Sequence, residues 1–155
     1  MAGQSYKYWK KLFFCVTMEK TIRKETLITM AFYEDYLALP KRLTFEEMVS
    51  LHREIMTEAG CDGDALSLYS DLLAAAVKYA ESRSHWPLWD REKKQEEDPV
   101  CTFRHNQVID SLNILARYLR KQGKSATWRN VFDDDRKRIG DFACYLVFVE
   151  SLNAR

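Results

Sequence analysis

Apolar residues recur at helical spacing along most of this 155-residue chain, and the pattern predicts five long helices joined by short connections. The first runs from Thr17 or Met18 to Leu39, with Leu27, Met30, Ala31, Tyr33 and Leu37 on its buried side. Pro40 ends it, because proline lacks a donor and disfavours a helical residue before it. The second carries the clearest local signal. Thr44 and Glu47 stand at capping-box spacing, and Leu43 and Met48 are placed as the matching hydrophobic staple. Phe45, Met48, Val49, His52, Ile55, Met56 and Ala59 then follow one face, and Gly60 is expected as a left-handed stop.

Asp62-Gly63-Asp64 reads as a turn and cap before a third helix that reaches about Ser82. Leu66, Tyr69, Leu72, Leu73, Ala76 and Ala80 form its inner face, and the run Ala74–Ala76 lets a neighbour approach closely. Ser84 to Val100 is the least regular segment. It opens His85-Trp86-Pro87-Leu88-Trp89 and continues with charges of mixed sign, so a short solvated helix or a long connection ending at Pro99 is expected. Trp86 and Trp89 would pin it to the core. Thr102 is read as the cap of the fourth helix, which carries Val108, Ile109, Leu112, Leu115, Ala116 and Leu119 and stops before Gly123. A turn of helix from Thr127 to Phe132 leads into the last.

The last helix, about Asp134 to Leu152, holds the most apolar run, Phe142 to Val149. Ile139, Phe142, Ala143, Leu146 and Val149 make one stripe, and Cys144, Val147 and Phe148 widen it around the axis. A helix apolar nearly all round is normally buried. It is therefore expected at the centre, with Asp133 or Asp134 as its cap. The fold class is all-α: one helical bundle of about five main helices over residues 18–155, preceded by a basic aromatic arm over residues 1–17.

Composition agrees with helices. The chain has five glycines and three prolines, 46% hydrophobic and 30% charged residues. A net charge of +1 gives no global mandate for nucleic acid or membranes, so any such role must come from a local patch. The longest apolar run falls far short of a membrane span of about 20 residues. Cys15, Cys61, Cys101 and Cys144 are scattered without a Cys-x-x-Cys, and the amino-terminal segment lacks the pattern of a secretory signal. A reducing, cytoplasmic setting is the reading.

Candidate chemistry is sparse. His52 lies on the apolar face of its helix and is read as a core or interface histidine; as a general base it would need a carboxylate beside it in a cleft, as would His105. Cys101 and His105 have the spacing of half a zinc site without a second half. Glu54 and Glu58 sit one turn apart, and Asp133-Asp134-Asp135 diverge at a helix start, so no metal or cofactor is expected. Two functions remain. The leading one is a non-catalytic interaction protein, since no catalytic constellation is visible, that self-associates or binds another protein through Trp86, Trp89 and Phe148. The alternative is nucleic-acid binding through Arg117, Arg120, Lys121, Lys124 and Arg129, with Trp128 as a stacking platform; no acid interrupts the chain between Ser111 and Phe132.

Overall fold

A computed structural model describes residues 42–153. The expected first helix and the basic aromatic arm lie outside the described residues. Among the described residues there are five α-helices and no strand: α1 (Phe45–Ala59), α2 (Gly63–His85), α3 (Arg91–Lys121), α4 (Trp128–Phe132) and α5 (Arg136–Asn153), with a short 3-10 turn (Trp86–Leu88) after α2. The all-α class is as the periodicity implies.

The start of α1 follows from four residues. The Glu47 amide donates to Thr44 Oγ1 at 3.2 Å, and the Thr44 amide donates to Glu47 Oε2 at 2.7 Å. Two orphan donors are thereby satisfied. Leu43 and Met48 are both buried, as the staple requires. The stop differs from the expectation: Gly60 has φ −66°, ordinary right-handed geometry. Asp62 takes over at once, accepting from the amides of Asp64 and Ala65 to open α2. The Tyr118 hydroxyl donates to both oxygens of the same carboxylate, tying this cap to the far end of α3.

The segment read as a short solvated helix or a long connection is largely helix, continuous with the helix that follows it. α3 begins at Arg91, capped by Asp90 through the Lys93 amide, and runs through Pro99 for 31 residues. Thr102 is therefore interior and not a cap. An interior proline removes one hydrogen bond and crowds the preceding turn. Here Gln95, whose carbonyl loses its partner, and Pro99 itself are exposed, so water serves that carbonyl. Lys93 bridges Glu96 and Glu97 across the same turn at 3.1 and 2.8 Å.

The described contacts do not single out the last helix as the centre. Among the described residues α2 makes the widest contacts, first with α3 and then with α5. Its small residues Ala75, Ala76 and Ala80 are buried and let both neighbours approach. α5 is enclosed on all sides only in its middle: Ile139 through Val147 are buried, whereas Arg136 and Lys137 before them are exposed, and after them Glu150 and Ser151 are buried while Phe148 and Val149 are half-buried and Leu152 is exposed. Its cap is Asp135, whose Oδ1 accepts from the amides of Lys137 and Arg138. Asp133 instead ends α4 with φ 49°, and Asp134 is exposed. Arg42 fastens the entry of α1 to this corner, its amide donating to Asp141 and its guanidinium to Asp135.

Candidate anion-binding groove

The basic residues after Ser111 come from two helices. Asn113, Ala116, Arg117, Arg120 and Lys121 are spaced to share one side of the carboxy-terminal half of α3. Gly123, with φ 81°, reverses the chain, a conformation that glycine adopts without a Cβ clash. α4 then returns alongside and brings Arg129 to the same side. The result is a cavity of about 450 Å³ lined by Asn113, Ala116, Arg117, Arg120, Lys121 and Arg129. Four cations line it and no carboxylate does.

Two of the four have hydrogen-bond partners. Arg129 Nε donates to Asn113 Oδ1 at 2.7 Å, and its Nη1 donates to the Asp133 carbonyl at 3.0 Å. Arg120 Nη2 reaches the Ala126 carbonyl at 3.4 Å. These partners are neutral, so both guanidinium charges stay uncompensated. Arg117 and Lys121 are exposed and make no hydrogen bond or ion pair among the described residues. Guanidinium groups do not shed their protons in proteins. A concave site with four such charges and no acid is therefore suited to an anion, and planar forks to phosphate in particular.

Lys124 stands apart, beyond the turn, and its charge helps hold the Asp62 carboxyl below its usual range. The Tyr118–Asp62 hydrogen bond is the larger cause of that shift. Trp128 is a correction. Its ring is 0% exposed and its Nε1 donates to Glu58 Oε2 at 2.8 Å, so no base can stack on it. The physical reason lies in α4, a single turn too short to cover the bundle end without burying its largest side chain. Glu58, considered above with Glu54 as a metal pair, is consumed by this anchoring. Its Oε1 also accepts from Ser125 Oγ at 2.9 Å and the Ala126 amide at 3.1 Å. Asn113 and Ala116 were not foreseen in the groove, although their spacing from Arg117 and Arg120 carried the signal.

The histidines are occupied elsewhere. His52 is 4% exposed and Glu150 7%. Tyr69 lies between them, its hydroxyl 3.0 Å from His52 Nε2 and donating to Glu150 Oε1 at 3.0 Å. Since Tyr69 spends its proton on Glu150, His52 Nε2 carries a hydrogen and donates to the Tyr69 oxygen. The direct His52–Glu150 separation, 3.9 Å, satisfies an ion-pair distance, yet both groups are driven toward neutrality. Burial lowers the His52 pKa to about 4 and raises that of Glu150 to about 7, because a charge loses its hydration there. The carboxylate that a catalytic histidine needs is present, but both side chains are buried in the packing. His105 Nε2 bonds the Arg136 carbonyl at 2.8 Å, and its ring lies 4.7 Å from that of Tyr79. Among the described residues no three His, Cys, Asp or Glu side chains are grouped to hold a metal ion.

Trp86 and Trp89 are half-buried at the corner between α2 and α3, their rings edge-on at 6.2 Å. Phe148 is half-buried against the core. These three do not share a site with the groove. No described helix is long and apolar enough to cross a membrane. The chain matches no protein-family model, no curated protein and no solved structure at a significant level.

Proposed function

We propose that this protein binds nucleic acid through its phosphate backbone at the groove between α3 and α4. The observation that carries the reading is the convergence of Arg117, Arg120, Lys121 and Arg129 on one cavity without a carboxylate in its lining. With Trp128 buried, base stacking contributes nothing there, so binding is independent of sequence and dominated by counterion release. Three to four phosphate contacts imply a salt slope of about −2 to −3 for a single strand. Fluorescence anisotropy with a labelled 20-nucleotide DNA strand, titrated between 50 and 200 mM KCl, measures it. Replacing Arg117 and Lys121 together by Gln should weaken binding about tenfold or more and flatten the slope by roughly one to two. No anisotropy change at 50 mM KCl with 100 µM protein removes the reading.

A second reading, a self-associating interaction protein, is favoured by a different observation. Large apolar side chains remain on the surface, among them Leu88 and Phe103, each 61% exposed, and Ile114 at 46%. Leu88 lies between Trp86 and Trp89, and Phe148 offers a further apolar contact. Contiguous exposed apolar surface marks interaction sites, and the Trp86–Trp89 corner, with Leu88 between the two tryptophans, is where such surface is continuous in the chain. Light scattering behind a sizing column over a range of concentrations tests it, and a monomer throughout removes it.

A further inference from the structure

We infer that the groove between α3 and α4 takes the end of a nucleic-acid strand, anchored by its terminal phosphate, and not the middle of one. The inference rests on the phosphate-binding reading above and names the part of the nucleic acid that the site selects. Its basis is where the cations stop. The stretch without an acid, Ser111 to Phe132, is closed by Asp110 at one end and by Asp133 and Asp134 at the other. The fold brings these two ends together.

Two side-chain rungs join them. Arg129 Nε donates to Asn113 Oδ1 at 2.7 Å, and Arg136 Nη2 donates to Asn106 Oδ1 at 2.9 Å. The chain from α4 into α5 therefore runs antiparallel to α3. Asp110 stands between the two asparagines, and around the helix axis it lies within about 60° of each. Asp133 and Asp134 stand between the two arginines, and the Asp133 carbonyl accepts from Arg129 Nη1 at 3.0 Å. All three acids are exposed. They border the groove on the side of Asn113. On the side of Lys121 no acid follows in the chain before Asp133.

A strand threaded through the groove would carry its diesters across these carboxylates, where like charges repel. A strand that ends in front of them does not. Its last phosphate is a monoester with a charge of about −1.5 to −2 and three acceptor oxygens, against a single charge on each diester. Arg129 spends one N–H on Asn113 and one on Asp133, which leaves three of its five for those oxygens. The four cations lining the cavity of about 450 Å³ balance one monoester and two diesters, and the strand leaves past Arg117 and Lys121. Arg136, beyond the acids, takes no part.

Competition anisotropy with the full chain at 100 mM KCl and pH 7.5 tests the inference. Unlabelled 20-nucleotide DNA strands of one sequence, ending in a 5′-phosphate, a 3′-phosphate or hydroxyls only, displace a labelled strand. A hydroxyl-ended 21-nucleotide strand controls for the added charge. One of the two phosphorylated strands should bind about tenfold tighter than the hydroxyl-ended ones, as expected for an added charge-assisted contact, and which one gives the polarity. Asp110→Asn combined with Asp133→Asn removes two of the repelling charges, and asparagine suits the left-handed backbone at 133. This variant should bind the hydroxyl-ended strands more tightly and shrink the preference to about threefold or less. Arg136→Gln should leave every affinity within about twofold of wild type. Equal affinity for all four strands, a preference untouched by the double variant, or a severalfold loss with Arg136→Gln overturns the strand-end inference while the groove still binds phosphate. No binding of any strand overturns both readings.

Discussion

Glu58→Ala tests how the groove is held in place. Glu58 is the single acceptor for three donors on the loop and helix that carry Arg129: Ser125 Oγ, the Ala126 amide and Trp128 Nε1. Two of the three donor residues, Ala126 and Trp128, are 0% exposed. Ala126 is also held at φ 45°, left-handed backbone that a residue with a Cβ adopts at a cost of about 1–2 kcal/mol. The bond to its amide helps offset that strain. Truncation to Ala leaves two buried donors without their acceptor, and a hydrogen bond to a charged group contributes about 1.5–3 kcal/mol. Water entering the vacated space recovers part of this, because Glu58 itself is half-buried. A net loss of about 3 kcal/mol is expected, which lowers Tm by about 6–12 °C for a chain of this size. Glu58→Gln keeps one carbonyl acceptor and should lose about half as much. Thermal unfolding followed by circular dichroism measures both, and iodide quenching reports whether Trp128 becomes accessible. A Glu58→Ala protein within 0.5 kcal/mol of wild type, with Trp128 still shielded, would refute the idea that this carboxylate anchors α4.

Two further outcomes are expected. Glu150 has a folded pKa of about 7 against an ordinary value of 4.5, so the folded protein retains a proton that the unfolded chain has lost between those values. The burial cost is absent below about pH 4.5, grows as pH rises through 7 and is complete near pH 8, reaching about 3 kcal/mol. His52 acts in the opposite sense between pH 4 and 6.5, since its depressed pKa makes stability rise with pH there. The two slopes largely cancel in wild type, so the readout is the difference from Glu150→Gln, obtained by urea denaturation. The variant should gain on wild type steadily from pH 5 to 8; a flat difference would show that Glu150 titrates normally. Gly140→Ala should destabilise by about 1–3 kcal/mol, because an added Cβ would collide with the hydroxyl end of the buried Tyr79 side chain, which must then shift within the core. Unchanged urea stability would mean that Tyr79 moves at no cost.

The helices were legible where the cause is local. Thr44 with Glu47, Asp62 before its helix and the apolar stripe of Val108 to Leu119 depend on neighbours within two turns, and each stands where the pattern predicts. Local pattern failed where a local penalty was outvoted. Pro99 reads as a stop, yet the cap at Asp90 and the solvation of the freed carbonyl carry α3 through it. It also failed at Gly60, where the next cap arrives too soon for a left-handed turn to be needed. For the candidate site, the run of five bases without an acid was visible in the chain, because charge is a property of composition.

Which of those bases share a cavity depended on the path of the turn after Lys121, and that is tertiary. So was the fate of Trp128: in a one-dimensional reading an aromatic beside an arginine resembles a platform, and only Glu58, 70 positions away in sequence, explains its burial. The sequence by itself determined the class, the caps and the sign of the patch, since these follow from short-range spacing and charge. Only the tertiary structure decided that α2 is the most widely packed of the described helices, that His52 meets Glu150 through Tyr69, and that Phe103 and Ile114 face solvent. Those outcomes depend on which helix faces cover one another, and contacts between residues distant in the chain leave no periodic trace along it.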